Sequence, residues 1–189
     1  FDEGEAIAIS AHVLVKDEFD RSRQDVLKIY ETRLGDAKRD RPDLGFIWAF
    51  SNPSTPNFGV HELYLKSDQK VWMVKCHTCN RYQELTWPES IDKERQLYIC
   101  KHCNREITTQ DRRMGKWIAK YPERTISGYH ISKLIAPWIT AKELIDASEQ
   151  DPSTFYNFWL GEPYVNPDVQ VSRDSIIKAI VLTKNPQSD

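Results

Sequence analysis

Four cysteines form two closely spaced pairs in the middle of the chain. Cys76 pairs with Cys79 and Cys100 with Cys103, each with C-x2-C spacing, and twenty residues separate the pairs. Tetrahedral Zn²⁺ takes four soft ligands, which two such pairs supply without strain. Four thiolates fill all four positions around the ion, so that none is open for water. No cysteine of the chain remains outside this set. The spacing therefore predicts a structural zinc site, with iron in a rubredoxin-like site as the alternative.

An acidic pair, Asp17 and Glu18, directly follows the apolar run 13–15 and Lys16. Ligands of open α/β sheets bind at the carboxyl ends of strands, which is where these acids would lie. In the Walker B arrangement of P-loop ATPases, the first acid holds Mg²⁺ on the nucleotide phosphates and the second polarises the attacking water. Asp17 and Glu18 are candidates for these roles. The alternative is a pair of solvated carboxylates that simply end a strand.

A polar turn follows the next apolar run, 46–50, and contains Ser51, Asn52 and Ser54. If both strands lie in one parallel sheet, the polar turn and the acidic pair meet at the same edge. A polar turn at this edge can sense the γ-phosphate of ATP and transmit its loss to a moving loop. The alternative is an ordinary Asn-Pro turn without such a role. No G-x-x-x-x-G-K-[ST] motif occurs in the chain. The sequence thus contains the hydrolytic half of an ATP site without the phosphate-binding half.

The elements that must position these residues form a βαβ pattern. Apolar residues at helical spacing across 26–34 predict a helix between the two strands, with Ser22 as its amino-terminal cap. The continuous apolar run 46–50 is typical of a strand buried on both faces. Further along, the pattern predicts a strand at 129–132, a helix at 141–150 and a core role for the aromatic run 155–159.

Residues 70–107 predict a zinc ribbon. A strand-like run precedes each cysteine pair, and an Asn-Arg sequence follows each pair, where the chain turns through a left-handed residue that Asn tolerates. Residues 70–120 carry a net charge of +5, whereas 1–69 carry −4 and 121–189 carry −3. The excess cations either offset the charge of about −2 on a four-thiolate zinc site or contact a polyanion such as DNA.

Composition excludes several other classes of protein. The 189 residues are 40% hydrophobic and 11% aromatic with only 7 Gly, which argues against a disordered chain or a repetitive fibre. The chain contains no run of 18 apolar residues, so the sequence predicts no membrane span. The first residues do not resemble a signal peptide. Because the sequence does not begin with Met, we expect a fragment or a processed product.

The order of these motifs resembles the large terminase subunit of tailed bacteriophages, in its zinc-containing branch, from about residue 5 to 180. The matching stretches are Asp17-Glu18-Phe19-Asp20-Arg21-Ser22, Ser51-Asn52-Pro53, the C-x2-C ribbon with Trp87-Pro88, Ser127-Gly128-Tyr129-His130-Ile131 with Ala136-Pro137-Trp138, and Phe155-Tyr156-Asn157-Phe158 with Leu160-Gly161-Glu162-Pro163-Tyr164.

The resemblance implies a DNA-packaging motor that hydrolyses ATP to move double-stranded DNA into a procapsid. A C-terminal nuclease domain of such proteins cuts the DNA concatemer. By resemblance, Asp17 and Glu18 take the Walker B roles with Mg²⁺ and ATP, and the cysteines bind Zn²⁺. Ser51, Asn52 and Ser54 form the coupling element.

The implied partners are double-stranded DNA, the small terminase subunit and the portal, with no membrane. The parent protein could assemble as a homo-oligomeric ring in the cytoplasm of the infected bacterial host.

The predicted fold is α/β, a partial P-loop NTPase-type parallel sheet with an inserted four-cysteine ribbon. The predicted divisions are 1–69 for the C-terminal half of the ATPase core, 70–112 for the ribbon, 113–170 for the rest of the ATPase region and 171–189 for a helix and linker towards the nuclease. The Walker A loop should lie upstream of Phe1 and the nuclease downstream of Asp189. We therefore expect this chain alone to be inactive.

Two alternatives stay open at this point. The first keeps ATP hydrolysis but assigns the chain to a helicase or translocase with a zinc ribbon. The second is a zinc-ribbon module that binds nucleic acid or docks a protein without ATPase activity. In the second, Asp17 and Glu18 are solvated carboxylates, and neutralising them leaves ATP turnover unchanged.

Overall fold

The structure, a computed structural model, describes residues 11–35 and 45–166. The strands are β1 (Val13–Lys16), β2 (Phe46–Ala49), β3 (Lys70–Lys75), β4 (Tyr82–Glu84), β5 (Ile91–Asp92), β6 (Leu97–Tyr98) and β7 (Lys116–Ala119). The α-helices are α1 (Gln24–Glu31), α2 (Gly59–Lys66), α3 (Thr109–Arg113), α4 (Ala141–Ser148) and α5 (Pro152–Thr154), and α5 runs on as a π-helix over Phe155–Leu160. Short 3₁₀ turns lie at Phe19–Arg21, Thr32–Leu34 and Lys133–Ile135.

The strands β1 and β2 pair in parallel, with Lys16 opposite Ala49, so their carboxyl ends meet at one edge. Helix α1 lies in the connection between them, as the βαβ pattern predicts. Lys16 is buried at the end of β1 and forms an ion pair with Glu31 at the end of α1. This contact joins the crossover helix to the strand that carries the acidic pair.

Two details of the βαβ prediction are wrong. The amino-terminal cap of α1 is Arg23, whose side chain makes no capping hydrogen bond, and the Ser22 hydroxyl donates to the Glu18 carbonyl. Strand β2 is not buried on both faces, since Trp48 is 55% exposed and Phe46 45% exposed. Within the described ranges, β1 and β2 alone make up the parallel sheet. A sheet of two four-residue strands is too narrow to cover large side chains on both faces.

A second, antiparallel sheet has the order β4-β3-β7. One of its faces carries Val74, which is fully buried in the main hydrophobic core. The buried members of that core are Val74, Cys76, Leu85, Ile91, Tyr98, Cys100, Ile107, Leu134, Ala141, Leu144, Ala147, Phe155 and Leu160. Ribbon residues and residues from the segment after the ribbon thus share one core.

The segment after the ribbon packs onto β3 and the core. The predicted strand at 129–132 is wrong in extent, since only a single parallel bridge joins Tyr129 to Lys70. The buried carboxylate of Asp68 accepts the Gly128 N–H at 3.0 Å and holds this segment in place. The predicted helix at 141–150 is confirmed as α4, which begins with a capping box between Thr140 and Glu143.

The structure confirms a mixed α/β chain with a short parallel sheet and a cluster of four cysteines. The assignment of the parallel sheet to a P-loop NTPase and the domain boundaries stay predictions. The predicted helix and linker at 171–189 lie outside the described residues. Among the helices of the described ranges, none has the length and apolar character needed to span a membrane.

Candidate active site and metal centre

The acidic pair occupies an exposed turn at the end of β1. Glu18 adopts a left-handed backbone conformation with φ of 48°, which ends the strand abruptly. The Asp17 carboxylate accepts the Glu18 N–H at 2.9 Å, and the Glu18 carboxylate lies 3.6 Å from the Arg21 guanidinium. Both carboxylates therefore lie on a fixed turn beside the carboxyl edge of the parallel sheet.

The polar turn after β2 is bonded directly to the acidic turn. The backbone N–H of Asp20 donates to the Ser51 hydroxyl at 3.1 Å, and that hydroxyl lies 3.1 Å from the Asn52 carbonyl, to which it donates. The Phe19 N–H also donates to the Phe50 carbonyl at 3.0 Å. The two turns thus form one hydrogen-bonded unit at the sheet edge.

Asp20 is a central residue of this unit that the sequence pattern does not single out. One carboxylate oxygen accepts both the N–H and the hydroxyl of Ser54, each at 2.9 Å. The other accepts the Val60 N–H at 2.6 Å in the first turn of α2, where the helix dipole favours negative charge. Its position three residues after Asp17 is the one sequence signal that could have pointed to it.

Both turns line one cavity of about 340 Å³. The other walls come from α2 and from the segment after the ribbon. The lining residues are Asp17, Glu18, Ala49, Phe50, Ser51, Asn52, Pro53, Val60, His61, Tyr64, Tyr129, His130, Ile131 and Gly161. Of the predicted site residues in these two turns, Ser54 alone does not line the cavity, because its polar atoms are bonded to Asp20.

His61 presents a neutral imidazole at the cavity wall. Its Nδ1 accepts the Asn57 N–H at 2.9 Å, so the ring proton of the neutral form lies on Nε2. Burial lowers the pKa of His61, and this outweighs the opposing effect of the Asp20 carboxylate. His61 is therefore a hydrogen-bond donor through Nε2 at physiological pH.

His130 and Tyr64 also line the cavity, with ring centroids 6.1 Å apart. Burial alone would lower the pKa of His130, but Glu84, the Leu160 carbonyl and Glu162 raise it overall. Its Nε2 lies 2.9 Å from the Leu160 carbonyl and its Nδ1 lies 3.9 Å from the Glu84 carboxylate. Burial raises the pKa of Tyr64 to about 12, so its hydroxyl stays protonated.

The cavity combines groups that suit phosphate chemistry. Exposed carboxylates are the hard oxygen ligands that Mg²⁺ prefers, usually alongside water and phosphate oxygens. Tyr64, Asn52 and His61 also line the cavity, and their hydroxyl, amide and neutral imidazole groups can donate hydrogen bonds to an anion. The arrangement can thus accept a magnesium-bound polyphosphate at the edge of the parallel sheet.

The four cysteines form a compact cluster, in which all four Sγ atoms lie within 4.8 Å of one another. Across the two knuckles, Cys76 Sγ lies 3.8 Å from Cys103 Sγ and Cys79 Sγ lies 3.7 Å from Cys100 Sγ. Cys76 and Cys100 are fully buried. The cluster could hold one metal ion, and its four sulfur donors fit a soft or borderline cation.

Equivalent hydrogen bonds shape both knuckles. The Asn80 N–H donates to the Cys76 carbonyl at 2.9 Å, and the Asn104 N–H donates to the Cys100 carbonyl at 2.8 Å. Asn80 and Asn104 have φ of 59° and 55°, which confirms the predicted left-handed residue after each pair. The side chain of His77 is bonded to Asp111 at 2.7 Å and so lies outside the sulfur cluster.

Hydrogen bonds also favour the thiolate form at Cys100. Burial alone would raise the pKa of Cys100, but backbone N–H groups of His102 and Cys103 and the neighbouring thiols lower it to about 7. The His102 N–H lies 3.4 Å from the Cys100 sulfur. A thiolate is the form that binds a metal ion.

Comparison with known proteins identifies the family. The family model described as "Phage terminase large subunit gpA, ATPase domain" matches residues 5–117, a span that includes the acidic turn, the polar turn and all four cysteines. No individual curated protein and no solved structure matches the chain. Because the match covers more than half of the sequence, the chain belongs to the phage terminase large subunit gpA family, through its ATPase domain, and is part of a DNA-packaging motor.

Proposed function

We propose that this chain supplies the hydrolytic half of the ATP site of the packaging motor. The observation that carries the proposal is that the acidic turn and the polar turn line the same cavity at the carboxyl edge of the β1–β2 sheet. A parallel sheet of the P-loop NTPase type binds nucleotide at this edge. The phosphate-binding loop would come from residues outside this sequence, because the chain contains no Walker A motif.

In this proposal Asp17 holds the Mg²⁺ of Mg·ATP and Glu18 orients and polarises the attacking water. The metal would neutralise charge on the phosphates when bound. Both carboxylates line the cavity, so that one could serve the metal and the other the water. His61, which also lines the cavity, would donate through Nε2 to a phosphate oxygen.

The coupling element would act through Asp20. Ser51 and Asn52 line the cavity, where they can respond to loss of the γ-phosphate. Ser51 accepts from the Asp20 backbone, and the Asp20 side chain binds Ser54 and the start of α2. A small displacement of the polar turn would therefore move α2 as well.

The cysteine cluster would bind a structural Zn²⁺. Four sulfur donors complete a tetrahedral site without an open position, so the ion would stabilise the ribbon rather than perform chemistry. The small sheet β4-β3-β7 and the hairpin β5–β6 are short elements of the kind that depend on such a metal.

The parent protein would use ATP to translocate double-stranded DNA into a procapsid in the cytoplasm of the infected bacterium. We propose the small terminase subunit and the portal as partners, a homo-oligomeric ring as the assembly and an endonuclease in a domain outside this sequence. No described feature favours the helicase alternative over the terminase.

Replacing Asp17 by Asn in the full-length protein tests the proposed metal role. We expect Mg·ATP turnover to fall by about 100-fold or more, because removing a metal ligand costs several kcal/mol of transition-state stabilisation. Asp25→Asn is the matched control, since Asp25 lies on α1 and does not line the cavity. Turnover by Asp17→Asn equal to that of the control would refute the site.

A further inference from the structure

One face of the β4-β3-β7 sheet points away from the core, and we call it the outer ribbon face. Strand alternation and the pairing of Lys75 with Tyr82 and of Met73 with Lys116 put these side chains on the same face. The members of this face are Val71, Met73, Lys75, Tyr82, Glu84, Lys116 and Ile118. The opposite face carries the buried Val74 and Gln83.

The outer ribbon face is exposed and cationic at its centre. Lys75 and Lys116 are exposed, and Tyr82 and Ile118 are 43% and 41% exposed. The Lys116 ammonium lies 4.3 Å from the centre of the Tyr82 ring, across β3. Arg81, which directly precedes Tyr82, is also exposed. Lys75, Lys116 and the Tyr82 ring thus lie together on this face, and the exposed Arg81 lies at its margin, next to Tyr82 in the chain.

No carboxylate among residues 11–35 and 45–166 forms an ion pair with these cations. In the described residues, no ion pair involves Lys75, Arg81 or Lys116, although Lys116 contacts the Tyr82 ring. The one acid of the face, Glu84, lies 3.9 Å from the His130 imidazole, whose pKa is raised.

Elsewhere in the ribbon, the carboxylates of Asp92 and Asp111 are bonded to Arg95 and His77. Four thiolates around zinc would offset about two of the five net positive charges of residues 70–120. The outer ribbon face therefore keeps a positive potential even with the metal bound.

We propose that the outer ribbon face binds the sugar–phosphate backbone of double-stranded DNA through Lys75, Arg81 and Lys116, with Tyr82 packed against the backbone. Unpaired cations on a rigid sheet suit a polyanion, because each phosphate contact releases condensed counterions. The identity of the polyanion as DNA rests on the proposed packaging function. A metal bound by the four cysteines would fix the first knuckle, in which the Arg81 carbonyl accepts the Cys76 N–H.

The proposal predicts binding with strong salt dependence and little sequence preference. Each neutralised phosphate contributes about 0.9 to the slope of log K against log salt concentration. Neutralising all three cations together should therefore reduce that slope by about 2 to 3. No base-reading hydrogen bonds are invoked, so unrelated duplexes should bind alike.

The test measures binding of the zinc-loaded 189-residue chain to a labelled duplex of arbitrary sequence, without ATP, over a range of salt concentrations. The variant is Lys75→Gln, Arg81→Gln and Lys116→Gln together. The matched control, Lys28→Gln with Lys66→Gln and Lys142→Gln, removes the same charge from exposed lysines outside the ribbon. Zinc content is measured for each protein so that only correctly loaded chains are compared.

We expect the ribbon variant to lose about 10- to 100-fold in affinity at moderate salt and to show the reduced slope, while the control loses less than about threefold. Equal losses in the two variants, or no binding by the unsubstituted chain at low salt, would overturn the proposal. The proposal would also be overturned if this face bound an acidic protein surface while the ribbon variant kept the DNA affinity of the unsubstituted chain. Because ATP is absent, failure of the ATP-site assignment would not alter these outcomes.

Discussion

The carboxylate of Asp20 holds Ser54 through two hydrogen bonds, one to its backbone N–H and one to its hydroxyl, each 2.9 Å long. The same carboxylate accepts the Val60 N–H in the first turn of α2. One side chain thus joins the acidic turn, the polar turn and a helix. These three elements all contribute to the cavity that we assign to ATP.

Replacing Asp20 by Asn should destabilise this junction. An amide keeps one acceptor oxygen, but its NH₂ group then faces a donor that the carboxylate had accepted. We expect the free energy of unfolding to fall by about 1–3 kcal/mol, the cost of leaving a hydrogen-bonding group without its partner. Ser54→Ala removes only the hydroxyl contact and should cost about 1 kcal/mol.

Denaturant unfolding of the zinc-loaded chain measures both Asp20 and Ser54 variants. Equal stability of Asp20→Asn and the unsubstituted protein would show that the junction is not held by this carboxylate.

Gly59 should not tolerate a side chain. Its φ is +56°, and a Cβ atom built there would lie 2.2 Å from Asp20 Oδ1. Gly59→Ala would combine left-handed backbone strain with displacement of the Asp20 carboxylate, a cost of about 2–4 kcal/mol. At Gly35 a Cβ atom would meet none of the described residues within 4 Å, and φ is −60°. Thermal unfolding should therefore show a large loss for Gly59→Ala and almost none for Gly35→Ala.

Loss of one sulfur ligand should release the metal. Cys100→Ser removes a fully buried sulfur from the cluster, so zinc should fall from about one ion per chain to near zero. The ribbon core should then loosen, because the binding free energy of a structural zinc is also folding free energy. Elemental analysis after dialysis measures this, with the exposed His102→Ala as control. Equal zinc in Cys100→Ser and the unsubstituted chain would exclude the four-sulfur site.

His130 should make stability depend on pH. Glu84, the Leu160 carbonyl and Glu162 outweigh burial and raise the pKa of His130 above its ordinary value of 6.5. A raised folded-state pKa stabilises the fold fully below about pH 6.5, and this contribution disappears as pH rises through the folded-state pKa. The stability advantage over His130→Gln should therefore be largest in mild acid and shrink towards alkaline pH.

Unfolding curves of the His130 pair across that pH range provide the test. A constant difference would mean that the pKa of His130 is the same in the folded and the unfolded chain, contrary to the contacts with Glu84 and Leu160.

The sequence predicted the features that depend on local pattern. Apolar runs located β1 and β2, and paired cysteines with a following Asn predicted the knuckles that the structure contains. The aromatic run 155–159 was predicted to be core, which holds for the buried Phe155 and for Tyr156 and Trp159 packed against the core, whereas Phe158 is 41% exposed. Each of these depends on residues that are close together in the chain.

Features that depend on distant residues were missed. Asp20 bonds to Ser54 and Val60, which are 34 and 40 residues away, and no short pattern reports such contacts. The cavity wall that contains His61 was also missed. The apolar residues of α2 show no strong helical periodicity, and no sequence pattern reports the contact between His61 and Asn57. The predicted strand at 129–132 became a single bridge, and the Gly128 N–H that precedes it bonds to the Asp68 side chain instead of a neighbouring strand.

A single-turnover ATP measurement on Glu18→Gln in the full-length protein tests the proposed ATP site most directly. Glu62→Gln is the matched control, because Glu62 lies exposed on α2 and does not line the cavity. We predict that Glu18→Gln binds ATP within about threefold of the control, yet hydrolyses it about 100- to 10,000-fold more slowly, since only the group that activates water is lost. Hydrolysis at the control rate would contradict the assignment of this cavity as the site of ATP cleavage.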